Sequence, residues 1–380
     1  MEIGGKDVTP LVNSFSGTYA ASGGSSTMEI EVQRGSLSRV QGQMCRLFVG
    51  YGDPDSYVEY FTGKIEEPKS NPFSRTDTAT VYGPYAEMGE PASMMEDVDY
   101  SGWTVEQVML DLGERSNQNP RFLEVRGGRV EVIDQDIVAA ETAPYEVASS
   151  ITDAMNFVLS DRPKYRRLVM PRPRPGSTGR AKATYTPDDV QSEEDFTIEP
   201  LNAVLYAKVI VMRRADDGSY PVWREAAVAN RGVLLKPPPN HVFWVTDYPG
   251  TNAQAGDKAA QEAMWLSRVA WSWHLQDIAL NPDLLLYDSV YLEREAEGVH
   301  ETYVALLEDD ITFGGDNSGS LTMSVGGTAI LIDSRPVEKT YKPKATTGIF
   351  RLSPPPEPEP ILWSSSLKWD ELGDLTWDEA

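Results

Sequence analysis

Phe61-Thr-Gly-Lys-Ile65-Glu66-Glu67 is echoed, without a gap, 242 residues later by Tyr303-Val-Ala-Leu-Leu307-Glu308-Asp309 (61 to 303). At the same offset Thr78 falls on Ser320 and Thr80 on Thr322. The later copy closes a longer stretch, Gly256–Gly326. That stretch opens with a helical pattern over Asp257–Trp273, passes an Asn281-Pro282-Asp283 turn, and continues in strand-like pieces Leu284–Leu292, Glu301–Leu307 and Ser320–Val325. In the helical pattern Ala259, Ala263, Leu266, Ala270 and Trp273 form an apolar seam whose alanines let a sheet approach closely. Two ribbons of one design, far apart in one chain, predict a duplicated β-domain.

Around the earlier copy the period is that of strands. Met28, Ile30 and Val32 alternate with Glu29, Glu31 and Gln33, the mark of a half-buried strand. Met44–Gly50, Tyr57–Ile65 and Thr78–Tyr82 follow in the same manner. The period then changes. Thr104 and Gln107 have the spacing of a capping box, and Val105, Val108, Met109 and Leu112 mark one face of the helix behind it. A second amphipathic helix is expected over Tyr145–Leu159, entered through Pro144, with Val147, Ile151, Ala154 and Val158 inward. A small β-piece is expected between them over Arg121–Val138. Together they predict a compact α+β insert.

Residues 161–182 carry Arg162, Lys164, Arg166, Arg167, Arg172, Arg174, Arg180 and Lys182, with Asp161 the only acid. Pro171, Pro173 and Pro175 alternate and favour an extended arm. Such a segment is either a solvated loop or a contact arm for an acidic partner, with Arg166, Arg167, Arg172 and Arg174 as its contacts. The acidic run Asp188–Asp195 is a candidate to answer it. The β-pattern returns with Val204–Met212 and Pro221–Val228. Arg351–Pro360 is a stiff Pro/Glu linker. Beyond it, L-x-W-D-E is written twice, at Leu367 and Leu375. Trp363, Leu367, Trp369, Leu375 and Trp377 suit a docking tail whose aromatics fill pockets on a neighbour.

Composition bounds the function. A chain of 380 residues suggests two to three domains, and 30 Gly, 27 Pro, 17 Tyr and 9 Trp favour a turn-rich β fold. No apolar run is long enough to span a bilayer, and MEIGGKDVTP has neither the basic nor the apolar region of a secretory signal. The single Cys45 rules out a disulfide framework within one chain, fits a reducing cytoplasm, and sits in an apolar strand where a thiol is inert. The net charge of -24 opposes general binding to nucleic-acid phosphates. His241, His274 and His300 have no metal-ligand spacing, and no P-loop or nucleophile-elbow motif occurs. No catalytic, metal or cofactor site is therefore expected.

Three elements, in chain order, resemble the bacteriophage tail hub (baseplate hub) family of the late-control protein D type. They are Phe61–Glu66, the Tyr100–Leu112 helix, and Ala259–Trp273 followed by Asn281-Pro-Asp-Leu284-Leu-Leu-Tyr287-Asp288-Ser-Val290-Tyr-Leu and Thr302-Tyr303-Val304. The chain departs from that pattern at Tyr287, where glycine is usual. The resemblance covers most of 1–345 and not 351–380. It implies a β-dominated α+β chain with two related tube-type β-barrels: 1–94, an insert 95–190 carrying the basic arm 161–182, a second barrel 191–345 with helix 257–273, and the linker and tail 346–380. It further implies a homotrimer whose six barrels form a pseudo-hexameric ring in the virion tail tip, assembled in the host cytoplasm. That ring would meet the distal tube protein, the tape-measure protein and a tip fibre or spike, and DNA would pass through it. Two other readings remain open: a carbohydrate-binding adsorption protein, given the aromatic content, and a cell-wall hydrolase, for which two carboxylates suffice.

Overall fold

The computed structural model describes residues 1–336 except 22–24, 38–39, 53–55, 71–72, 90–93, 128–131, 135–140, 177–179, 201–205, 230–237, 268–270, 297 and 317–318. Two short strands, β1 (Glu2–Ile3) and β2 (Lys6–Asp7), precede a first β-unit. It comprises β3 (Val12–Tyr19), β4 (Thr27–Gln33), β5 (Met44–Val49), β6 (Val58–Ile65), β7 (Lys69–Ser70) and β8 (Thr76–Tyr82). An excursion follows: α1 (Val105–Arg115), β9 (Leu123–Val125), α2 (Pro144–Met155), β10 (Phe157–Arg162) and β11 (Arg166–Pro171). The chain returns through β12 (Thr184–Tyr185) and β13 (Phe196–Pro200). It then makes a second excursion: β14 (Lys208–Arg213), β15 (Val222–Ala227), β16 (Val242–Val245) and α3 (Asn252–Leu266). It closes with β17 (Trp271–Ala279), β18 (Ser289–Ala296), β19 (Val299–Leu307), β20 (Ile311–Asp316) and β21 (Leu321–Pro336).

The duplication is real at the level of register. In the first unit β3 pairs β4, β4 pairs β8, and β8 pairs both β6 and β7, while β6 pairs β5. The second unit repeats every pairing with β13, β17, β21, β19, β20 and β18 in those places. Ile65 stands opposite Val81, and Leu307 opposite Gly327. Outside the ladders the same backbone bonds recur. Ile65 N–H donates to Gln43 O as Leu307 N–H donates to Asp288 O; Gly42 to Ile65 O as Tyr287 to Leu307 O; Glu66 to Thr80 O as Glu308 to Gly326 O. The ungapped match of Thr78 to Ser320 and Thr80 to Thr322 is corrected by these bonds, since Thr80 corresponds to Gly326. The extra residues build β20 into a full strand where the first unit has the two-residue β7.

Tyr287 resolves its own anomaly. Its φ is 67° and that of Gly42, its counterpart, is 74°. The left-handed turn is kept, and a tyrosine takes on the strain that glycine avoids. In exchange its ring is buried and its hydroxyl donates to Ala21 O.

The units are not separate. β20 pairs with β3 from Ile311↔Tyr19 to Asp316↔Ser14, so both belong to one 15-stranded sheet. Phe313 stands at this seam, with ring centroids 5.6, 5.1 and 5.8 Å from Tyr19, Tyr60 and Phe61. A Cβ on Gly17 would collide with the Phe313 ring, so the close approach of β3 requires glycine there. One hydrophobic core runs under both units, from Met28 and Ile30 to Leu292, Leu307 and Val325.

A second core is shared by the two excursions. Val108, Met109 and Leu112 of α1 and Val147 and Ile151 of α2 belong to the same cluster as Val209, Val211, Ala255, Ala259 and Ala263. Helix α1 begins at the expected capping box, Thr104 with Gln107. Helix α2 stops at Met155, where Asn156 adopts the left-handed conformation, so Val158 belongs to a strand and not to the helix. The expected helix 257–273 is likewise corrected. It starts at a second capping box, Thr251 with Gln254, ends at Leu266, and leaves Trp271–Ala279 to a core strand. Its alanines face β14 and β15 of the small sheet β15-β14-β16 and not the second β-unit.

Candidate assembly surfaces

One face of the large sheet has an unusual lining. The strand pairings align Thr78, Glu31, Ser14 and Asp316 in one row. They align Thr80, Glu29, Ser16, Gly314 and Thr322 in a second, and Tyr82, Thr27, Thr18, Thr312 and Ser324 in a third. The period of two puts Met28, Ile30, Ala79, Val81, Phe313 and Met323 on the opposite, core face. The hydroxyl-and-acid face crosses the seam between the two β-units, and no lysine or arginine stands in these three rows between β8 and β21. On the β6 and β7 side two of the rows continue into lysines, Lys64 opposite Tyr82 and Lys69 opposite Thr78. Where β3, β20 and β21 meet, the face dips into a hollow of about 450 Å³, with Asp277 at its edge.

The basic segment is not a free arm. Residues 157–171 form the β10–β11 hairpin, and Arg167 is 1% exposed. Arg172 reaches Glu308 at 3.5 Å and Arg174 reaches Glu262 at 3.0 Å, with its guanidinium 4.9 Å from the Trp265 ring centroid. Lys182 pairs with Asp288 at 2.8 Å. Of the four expected contact residues, only Arg166 and part of Arg172 face solvent. The expectation that Asp188–Asp195 answers this segment is also corrected, because the observed partners are Glu262, Asp288 and Glu308. These residues brace the hairpin extension against α3 and the second unit. Lys258 also reaches Glu262 at 3.0 Å, so one buried carboxylate serves two cations, and burial lowers the Lys258 pKa.

Asp161 ties the hairpin to the first unit. Its carboxylate accepts from Ser26 N–H at 2.9 Å and Tyr85 N–H at 3.1 Å. Burial raises its pKa to about 6 against those bonds and the nearby Arg167 charge. Cys45 is buried, and desolvation pushes its thiol up to about 12, which leaves it unreactive at neutral pH. Among the described residues no group of three His, Cys, Asp or Glu side chains comes together to hold a metal. The tail residues Trp363, Leu367, Trp369, Leu375 and Trp377 lie outside the described residues.

Sequence reasoning missed one surface. Trp223 and Trp244 are 39% and 50% exposed on the small sheet, with ring centroids 6.0 Å apart, and Tyr220 lies 5.3 Å from Trp223. The signal was present: Trp223 alternates with the buried Val222 and stands beside Arg224 and Glu225.

No family model matches the chain, and no curated protein matches it. Solved structures do. A tail protein from Neisseria meningitidis MC58 aligns with a TM-score of 0.57 at 11% identity, covering 83% of this chain and 91% of that one. The 43 kDa tail protein of prophage MuSo2 from Shewanella oneidensis gives 0.54 at 13%, covering 87% and 96%. Prophage tail protein gp18 from Listeria monocytogenes EGD-e gives 0.50 at 12%, covering 83% and 88%. The chain thus has the fold of phage tail proteins, over nearly the whole length of each.

Proposed function

We propose that this chain is a structural tail hub. Three copies, each bringing two β-units of identical connectivity, make a ring of six that closes the distal end of a tail tube. The observation that carries this is the hydroxyl-and-acid face that runs from β8 through β4 and β3 across the seam to β20 and β21. A ring with that face inward presents DNA with a wall of hydroxyls and acids whose cations, Lys64 and Lys69, stand only at the β6 and β7 margin, so the duplex passes without being held. The chain has no catalytic role in this account. Its partners are the distal tube protein, the tape-measure protein and a tip fibre or spike, and its place is the virion tail tip. The two excursions, with their common core, stand as one accessory domain. Trp363, Leu367, Trp369, Leu375 and Trp377 dock on an adjacent tip protein or neighbouring subunit. Deletion of 361–380 then abolishes tip assembly; infectious particles of normal yield from that deletion refute the docking role.

The Tyr220–Trp223–Trp244 strip favours a second reading, carbohydrate binding during adsorption, because exposed indoles pack against sugar rings. Binding on a glycan array that disappears with Trp223→Ala and Trp244→Ala supports it. An empty array leaves the hub reading alone.

A further inference from the structure

The seam between the two β-units has a counterpart that the chain leaves open. Inside the chain, β20 of the second unit pairs with β3 of the first, with Thr312 opposite Thr18 and Phe313 opposite Gly17. The strands that hold those two places in the other unit are β7 and β13. Among the described residues each is paired on one side only, β7 with β8 and β13 with β17. The ladders fix the correspondence residue by residue. Thr80 corresponds to Gly326, so Thr78 corresponds to Ser324 and Asp77 to Met323. Lys69 stands opposite Thr78 and Ser70 opposite Asp77, as Thr312 stands opposite Ser324 and Phe313 opposite Met323. On the other strand, Gly17 and Thr18 stand opposite Met28 and Thr27, which pair with Val81 and Tyr82. Ile198 and Glu199 likewise stand opposite Trp273 and Ser272, which pair with Gly327 and Thr328. Lys69 therefore holds the place of Thr312, Ser70 that of Phe313, Ile198 that of Gly17 and Glu199 that of Thr18.

We propose that β7 of one chain pairs with β13 of a second copy of this chain, in the register of β20 on β3. Lys69 then lies opposite Glu199 of the next copy, and Ser70 opposite Ile198. The residue types fit that register. The neutral pair Thr312–Thr18 becomes a cation facing an acid, and both Lys69 and Glu199 are exposed in the single chain. A bulky residue again meets a small one, with the bulk moved to the other strand. Position 17 has to be glycine because Phe313 fills the space of its Cβ, whereas a serine opposite leaves room for Ile198. Pro68 and Pro200 fall opposite one another at the next step, and neither has an N–H to donate, so the ladder ends there. The contact is heterologous, one edge meeting a different edge, and such contacts close into a ring when the rotation allows. The pairing rests on the ring reading and specifies the contact between its chains: β20–β3 seams within chains alternate with β7–β13 seams between them. It also sets an acid beside the lysine at the margin of the hydroxyl-and-acid face.

The test combines charge reversal with cross-linking in the full chain, and the natural chain is expected to sediment as a trimer. Lys69→Glu and Glu199→Lys each set like charges against one another. Each should raise the concentration at which half the trimer dissociates by about tenfold or more. The double variant exchanges the charges and should bring that concentration back toward the natural value. Directly opposite residues of an antiparallel pair have Cα atoms about 4.5–5.5 Å apart, within reach of a disulfide. Lys69→Cys chains co-assembled with Glu199→Cys chains should therefore oxidise to a disulfide-linked dimer that neither variant forms alone; Cys45 is buried and does not compete. The chain carrying both cysteines should give covalent species of up to three chains and none longer. A trimer that tolerates either reversal, or one that yields no cross-link, overturns the pairing while the ring stands on another contact; the lysine and proline would then only blunt that edge. Cross-linked species longer than three chains support the pairing and overturn the ring. A monomeric natural chain overturns both.

Discussion

Replacing Phe313 by alanine tests whether the two β-units are one folding unit. The ring is 3% exposed and touches Tyr19, Tyr60 and Phe61 across the β3–β20 seam. Phe→Ala in a core costs about 3–5 kcal/mol, and the upper half applies where the walls cannot collapse. Here the walls are three rings and a paired strand, so a loss of about 4–5 kcal/mol is expected. That is a large share of the about 5–15 kcal/mol by which native proteins are stable. Urea unfolding followed by tryptophan fluorescence and by circular dichroism reads the loss as a lower midpoint at unchanged m, with the two probes coincident. A double-mutant cycle with Tyr60→Ala should return a coupling of about 0.5–1.5 kcal/mol for the edge-to-face pair. A loss below about 1 kcal/mol for Phe313→Ala, or strictly additive effects in the cycle, refutes the seam.

Two further outcomes follow from buried charges. Asp161 has a folded pKa near 6 against an ordinary value of 3.8, so the folded state holds its proton more tightly than the unfolded chain. Its contribution is fully present below about pH 4, falls as the pH rises to about 6, and is then constant, a decline of about 3 kcal/mol. The stability difference between the natural chain and Asp161→Asn, measured by urea unfolding from pH 4 to 7, should fall by about that amount; a flat or rising difference contradicts the assignment. Glu262→Ala leaves Lys258 and Arg174 without their shared carboxylate and should cost about 3–5 kcal/mol, checked by the same unfolding curves; a loss under about 1 kcal/mol would mean that the pair of cations finds other partners.

What the sequence made legible was local. The alternation at Met28, Ile30 and Val32 placed β4, and the Thr104–Gln107 spacing placed the start of α1, because those signals lie within a few residues of the structure they cause. The helix ending at Leu266 was drawn too long because the apolar seam keeps its helical spacing through Ala270 to Trp273, though Trp273 packs from a strand. The true start was legible, since Thr251 and Gln254 repeat the capping-box spacing used at Thr104. The intrachain partners of the basic segment were hidden for a different reason. Glu262 and Glu308, which satisfy it, lie far along the chain, and no local pattern names a distant partner. The repeat at Phe61–Glu67 was legible because both copies keep the residues that face the core, whereas the slip of register after it arose in a connection that only the ladders reveal.

The central claim is that three chains close a ring whose inner wall is the hydroxyl-and-acid face of the sheet. Single-particle electron microscopy of the purified full chain tests it most directly. The account predicts a threefold ring with an open channel, with Glu29, Ser16, Thr312 and Thr322 on the channel wall. A stable monomer, or a ring that turns that face outward, contradicts it.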